Sequence, residues 1–171
     1  MTLRRLLDGL YDAAGSLAAL FLVGTLVMVL TGIAGRFLHF HVPGTDAYAG
    51  YCMAAAGFLA LAHTLKRGEH IRVTLILDRL SEAARHRLEV WSLAAGALLA
   101  ALFAYFSIRL AWQSLQFNDI STGNDATPLW IPQLSMAAGT LVLLVALVDE
   151  LARELRGERR RPAAAEPRFN E

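Results

Sequence analysis

The sequence predicts an all-α integral membrane protein with four transmembrane helices, and two observations support this fold class. Hydrophobic residues make up 56% of the 171 residues and charged residues only 18%, which is too apolar for an ordinary soluble surface. Four long runs contain no Asp, Glu, Lys or Arg, and each is close to the roughly 20 residues with which a helix crosses a hydrocarbon core of about 30 Å. These predicted spans are residues 13–35, 47–65, 90–108 and 129–148.

The first and fourth spans each raise a question about their start. Arg4 and Arg5 precede the first span, as basic residues do in signal peptides. The run is longer than a signal-peptide core and has no convincing small-residue cleavage site, so we interpret it as an uncleaved span. The fourth span has Pro132 in its first turn, where a missing amide proton costs little. The spans are predicted to form a single membrane domain of residues 1–156.

The basic residues predict the orientation of the spans. All but two of the 16 Lys and Arg residues lie at the N-terminus, between spans two and three, or after span four. The two exceptions are Arg36 and Arg109. Because segments rich in Lys and Arg stay on the cytoplasmic side, both termini are predicted to be cytoplasmic. An even number of spans agrees with this orientation.

The connection between spans two and three has the pattern of an amphipathic helix, because its apolar residues recur at spacings of three and four. They are Val73, Ile76, Leu77, Leu80, Ala84 and Leu88. The pattern predicts an interfacial helix over about 70–80 that lies among lipid headgroups, with a soluble helical hairpin as the alternative. Ser81 has the character of an N-cap, so another helix is expected to start at Glu82. The Arg-, Pro- and Ala-rich tail, residues 157–171, is predicted to be disordered or to lie on anionic lipid.

Small residues recur on several spans, where they allow helices to pack closely in a membrane. The stripes are Ser92, Gly96, Ala100 and Ala104 on span three, Gly50 with Ala54 and Ala56 with Ala60 on span two, and Gly24 with Gly32 on span one. They suit internal packing, and they equally suit docking onto the helices of a partner.

The residues that carry transport or redox chemistry are not found in the spans. Carriers keep ionisable groups inside the membrane for ions and substrates, and these spans have none, which weighs against an autonomous transporter or exporter. A membrane cytochrome needs histidines that face each other from different spans, and only His63 lies in a span. No catalytic residue, metal site or cofactor is therefore expected, the chain is predicted not to be an enzyme, and a net charge of +1 gives no sign of nucleic-acid binding.

Several motifs resemble those of one family. Arg36 follows span one, Asp46 precedes span two, and residues 68–73 read Gly-Glu-His-Ile-Arg-Val after a basic pair. Residues 126–132, Ala-Thr-Pro-Leu-Trp-Ile-Pro, lead into the last span. These features resemble the small membrane subunit (DctQ-type) of tripartite ATP-independent periplasmic (TRAP) transporters. The likeness covers roughly residues 10–155.

The resemblance implies a function that composition alone does not. Such subunits lie in the bacterial inner membrane and pair with a large membrane subunit that carries the sodium and substrate sites. A periplasmic binding protein delivers the substrate, usually an organic acid. The small subunit is then a scaffold for sodium-coupled symport, and membrane lipid is a further expected contact. The alternative from another class is a four-span anchor of a respiratory enzyme, linked to haem or quinone.

Three pairs of residues are candidates for partner or structural contacts. Arg36 and Asp46 pair with each other or with a partner, or are solvated charges at helix ends. His70 and Arg72 fix the turn after span two, or form an ordinary basic flank. Asp119 and Asp125 lie in the predicted outer loop from Arg109 to Pro128, which contacts the binding protein or is a solvated linker.

Overall fold

Four long helices form the protein. The computed structural model describes residues 2–40, 42–67 and 81–157. The helices are α1 (Thr2–Leu38), α2 (Thr45–Arg67), α3 (Glu82–Phe117) and α4 (Trp130–Leu155). Each is long and apolar enough to cross a membrane, and the described residues contain no β-strand, which confirms the all-α prediction of four spans.

Two of the helices are much longer than the predicted spans. Helix α1 has 37 residues and α3 has 36, which corresponds to roughly 55 Å at about 1.5 Å per residue and exceeds a hydrocarbon core of about 30 Å. The outer loop predicted to start at Arg109 is therefore shorter, because α3 continues to Phe117. The buried residues Ala111 and Ser114 continue the small-residue face of α3 and keep this last part of the helix packed.

Helix α3 begins at the residue that the sequence predicts as its start. Glu82 is its first residue, Ser81 takes the N-cap position, and the amide of Arg85 donates to the carbonyl oxygen of Ser81 at 2.9 Å. The Ser81 hydroxyl makes no capping hydrogen bond to this helix. The predicted interfacial helix (70–80), His70 and Arg72, and residues 158–171 of the tail lie outside the described residues.

The helices pack in the spatial order α1, α2, α4, α3. Helix α2 packs against α1 on one side and α4 on the other, and α4 also packs against α3. The rings of Phe58 on α2 and Phe103 on α3 meet edge to face at 5.7 Å between centroids. A smaller contact joins α1 to α4 near the buried residues Tyr11, Ala62 and Ala146. The described helices thus form an open layer, with α1 and α3 as its outer members.

Small residues make this close packing possible. Gly139 of α4 lies against the α2 backbone, since a Cβ at this position would come 2.5 Å from the carbonyl oxygen of Phe58. Gly24 and Gly32 of α1 face Cys52 and Thr45 of α2. Helix α3 buries a face that includes Ala97, Ala100, Ala104 and Ser107. Internal packing therefore uses the predicted stripes of α1 and most of the stripe of α3.

Polar contacts tie the helices together at the end that carries the start of α1 and the end of α4, here called the terminal end. Lys66 of α2 forms an ion pair with Asp8 of α1 and lies 4.6 Å from the centre of the Tyr11 ring. His86 of α3 and Glu154 of α4 approach to 2.8 Å between Nδ1 and Oε1. The opposite end carries the α1–α2 and α3–α4 loops and is here called the loop end.

Candidate functional site

The α3–α4 loop, residues 118–129, is held in place by the carboxylate of Asp125. Tyr51 of α2 donates to Oδ2 at 3.0 Å, Ser121 donates to Oδ1 at 2.8 Å, and the amide of Thr127 donates to Oδ2 at 3.4 Å. Hydrogen bonding by Thr127, and then by Ser121 and Tyr51, lowers the pKa of Asp125 from its ordinary 3.8 to about 2, because it favours the charged form. Asp125 is therefore ionised at neutral pH and engaged within the chain.

Two more residues of the α2 start complete this contact. The Thr127 hydroxyl donates to the Tyr48 hydroxyl at 3.2 Å, and the Tyr48 and Tyr51 rings lie edge to face at 6.1 Å. Gly44 has a φ of +79°, and a Cβ there would come 2.6 Å from the Cβ of Asp125. Only glycine fits both the conformation and the space. The loop is thus docked on the N-terminal turn of α2.

A polar cavity lies beside this loop, between the end of α1 and the start of α2. Its volume is about 530 Å³, and we call it the boundary cavity. Its polar lining residues are Thr31, Arg36, His39, Thr45, Asp46 and Asn124. Within the described parts of the chain, no ion pair joins Arg36 to Asp46. The structure therefore brings the two predicted residues to one cavity without pairing them.

One face of the central helix α2 is uncovered. Gly50, Ala54 and Gly57 lie on this face at spacings of four and three residues, and all three are exposed. Among the residues that the structure describes, nothing lies within 4 Å of a Cβ built on Gly50 or Gly57. Met53, a large residue beside them, is 61% exposed. We call Gly50, Met53, Ala54 and Gly57 the open face of α2.

The other predicted site residues have separate positions. Asp119 is exposed at the start of the α3–α4 loop, where its backbone amide donates to the carbonyl oxygen of Ser114 at 3.0 Å. The carboxylate of Asp125 is directed toward its own loop and α2, because three donors from the chain surround it. Contact of either residue with a binding protein stays a prediction.

Sequence reasoning missed the residues that fix the loop. Tyr48 and Tyr51 are three residues apart near the start of α2, a spacing that places them on the same helical face. That spacing was a visible signal of a shared contact. It did not show that the partner of Tyr51 is Asp125, which lies 74 residues later in the chain. No group of three or more potential metal ligands from His, Cys, Asp and Glu occurs in the described part of the chain.

Comparison with known families gives a match over most of the chain. The family described as "Tripartite ATP-independent periplasmic transporters, DctQ component" matches residues 25–157, which include the C-terminal part of α1 (residues 25–38), the whole of α2, α3 and α4, and both loops of the loop end. No curated protein matches the chain. The match confirms the predicted resemblance and favours a transporter component over an enzyme or a respiratory anchor.

Proposed function

The chain belongs to the DctQ family, the small component of TRAP transporters, and from this membership we propose that it is the scaffold subunit of a sodium-coupled uptake system. In this proposal it pairs with a large membrane subunit in the bacterial inner membrane. A periplasmic binding protein delivers an organic acid to the pair. The large subunit holds the sodium and substrate sites, and this chain provides a rigid surface against which it works.

The open face of α2 is the observation that carries this proposal. A helix at the centre of a membrane protein is normally covered by other helices, yet Gly50, Ala54 and Gly57 are uncovered. Helices associate in membranes through small residues, because small residues let two backbones approach closely. Helix α2 is also the least hydropathic of the four spans, whereas α1 exposes large residues such as Leu22 and Leu26. A protein helix therefore suits the open face of α2 better than lipid does.

The distribution of charge supports a passive role in transport. The predicted spans contain no Asp, Glu, Lys or Arg, and the ion pairs that the structure describes lie near helix ends. Sodium and organic acids need oxygen ligands or cations at the depth where they cross. The partner must then supply these groups.

The contacts at both ends of the layer support a stationary role. Lys66 with Asp8 joins α1 to α2 at the terminal end, and His86 with Glu154 joins α3 to α4. Asp125 fastens the α3–α4 loop to α2 at the loop end. A layer fixed at both ends moves as one body, which is the property that a scaffold requires.

Uptake into proteoliposomes tests the proposed function. The vesicles would contain the large subunit with or without this chain, and the substrate-loaded binding protein would be added outside. We expect uptake that requires both membrane chains and an inward sodium gradient, with a potassium gradient as the control. Full uptake by the large subunit alone, or uptake by this chain alone, would refute the scaffold role.

We further propose that the loop end faces the periplasm and that Asp119 contacts the binding protein there. Asp119 is exposed, whereas Asp125 is engaged within the chain. The substitution Asp119→Lys is expected to lower uptake at limiting binding protein about threefold to tenfold, because charges at an interface rim mainly change the association rate. Gln116→Lys, an added charge at a nearby exposed position, is the matched control. Equal uptake by the two variants would exclude Asp119 from the contact.

A further inference from the structure

We propose that the boundary cavity binds a phosphate ester that carries an amine, the headgroup chemistry of phosphatidylethanolamine, with Arg36 on the phosphate and Asp46 on the amine. This inference goes beyond the scaffold role and does not depend on it. It concerns a lipid site formed by this chain alone, at the membrane boundary where α1 ends and α2 begins.

The size of the cavity fits a small ligand. Its volume of about 530 Å³ is within the usual range of roughly 300–1,000 Å³ for small-molecule sites. Gly32 and Gly35 of α1 line it and keep it open. A Cβ at Gly32 would come 3.1 Å from the Oγ1 atom of Thr45, so a larger residue would take up space in the cavity.

The charges of the cavity select the class of ligand. Arg36 and Asp46 both line it and are both exposed, and the described residues show no ion pair between them. One cavity therefore offers a cation and an anion at separate positions. A headgroup with a phosphate and an amine satisfies both charges. An organic dicarboxylate or a headgroup without an amine would leave Asp46 facing a second negative charge.

Thr45 adds a hydroxyl group to the polar lining of the cavity. It is only 9% exposed and lines the cavity, yet its hydroxyl makes no hydrogen bond within the part of the chain that the structure describes. The oxygen of this hydroxyl is not among the buried unpaired atoms of the described residues, so it is accessible from the cavity and can bond to a ligand there. The amide of Tyr48 donates to Gly44, so the amides of Thr45, Asp46 and Ala47 precede the first helical hydrogen bond of α2. Together with the hydroxyl, these donors suit phosphate oxygens.

The surroundings of the cavity favour a lipid as the source of the headgroup. Phe37, Leu38 and Phe40, at the end of α1 and directly after it, are all exposed, with Phe37 at 79%. Phe40 also lines the cavity. Large apolar side chains beside a polar cavity match the junction of headgroup and acyl chain, where both kinds of surface are needed.

Native mass spectrometry of the full chain in mild detergent tests the site. The protein would be titrated with phosphatidylethanolamine and, separately, with phosphatidylglycerol, which has a phosphate and no amine. We expect phosphatidylethanolamine to bind about tenfold more tightly. Arg36→Gln should weaken the binding of both lipids about tenfold. Arg109→Gln, which changes the other arginine outside the three basic segments, should weaken the binding of neither. Thr45→Val, which replaces the hydroxyl by a methyl group of similar size, should weaken the binding of both lipids by a smaller factor.

Asp46→Asn separates a ligand contact from a folding defect. It should weaken phosphatidylethanolamine and strengthen phosphatidylglycerol, a gain that damaged folding cannot produce. Asp119→Asn is the matched control and should leave both affinities unchanged. Glycerophosphoethanolamine is added as a soluble competitor. Competition at concentrations similar to the lipid supports a soluble ester as the ligand, and its failure supports the lipid. Equal affinity for the two lipids in the native protein, or no effect of Arg36→Gln, would overturn the site.

Discussion

At the scale of single residues, Asp125 shows how one carboxylate can determine the shape of a loop. Three donors surround it, and two of them, Ser121 and Thr127, belong to the same loop, while Tyr51 belongs to α2. The carboxylate thus shapes the loop and fastens it to the helix layer at the same time. Its negative charge strengthens each of these hydrogen bonds, since charge-assisted bonds are stronger than neutral ones.

The lowered pKa of Asp125 gives a prediction about acid stability. A carboxyl group with a folded pKa of about 2, below its ordinary 3.8, stabilises the folded state fully above pH 3.8. This stabilisation is lost as the pH falls through about 2. We expect the melting temperature of the native protein to exceed that of Asp125→Asn by a constant amount from pH 7 to pH 5, and the difference to shrink below pH 4. Thermal unfolding in detergent measures it.

The control for this prediction is Asp119→Asn in the same loop, because that side chain is exposed. Its melting temperature should follow that of the native protein throughout. If Asp125→Asn showed no deficit at pH 7, the hydrogen bonds to Asp125 would not stabilise the loop.

The sequence allowed only part of the site to be predicted at this scale. Arg36 and Asp46 were identified from their positions at span ends, and the structure places both in the boundary cavity. The sequence also indicated Asp125, yet it gave no sign that Tyr51 binds it, because a contact across 74 residues depends on how α2 and the loop meet. Gly44 likewise shows its importance only when its φ of +79° is known.

At the scale of elements, the contact between α2 and α4 is the closest approach of two helices in the described chain that involves a glycine. A Cβ on Gly139 would lie 2.5 Å from the Phe58 carbonyl oxygen and 2.6 Å from its carbon. These are backbone atoms of a helix, which cannot rotate away as a side chain can. The two helices must separate if Gly139 is replaced.

We therefore predict that Gly139→Ala destabilises the protein by about 1–3 kcal/mol, the usual cost of overpacking. Gly96→Ala is the matched control, because a Cβ at Gly96 would lie 3.6 Å from Leu147, an ordinary contact distance. Unfolding of both variants by denaturant in detergent micelles measures the difference. Equal stability of the two alanine variants would mean that α2 and α4 are not in tight contact.

The helices themselves could be predicted well from the sequence, and their ends less well. Uncharged runs of about 20 residues identify the spans because the bilayer sets their length. Glu82 was correctly expected as the start of α3 from the preceding Ser81. The end of α3 at Phe117 was not, since Arg109 looked like the end of a span. Beyond the predicted span, packing through Ala111 and Ser114 extends the helix, and hydropathy carries no information about that packing.

At the scale of the whole molecule, the open layer distinguishes this protein from a closed four-helix bundle. In a bundle each helix would be covered by its neighbours, whereas here the order α1, α2, α4, α3 leaves the broad sides of the layer available. The sequence identified the small residues of α2 and left open whether they pack internally or against a partner. The fold divides them, because Ala56 is buried while Gly50 and Ala54 remain open, and Gly57 extends the same open face.

Co-purification tests the central claim, that the open face of α2 binds the large membrane subunit. The tagged chain would be co-expressed with that subunit, extracted in mild detergent and isolated. We predict a stable complex with the native chain and with Gly9→Leu, a control at a helical glycine that also has open space around it. Gly57→Leu should lower recovery of the large subunit at least about fivefold, because its side chain would occupy the place of the partner helix. A chain that purifies alone, or equal recovery with both leucine variants, would contradict the account.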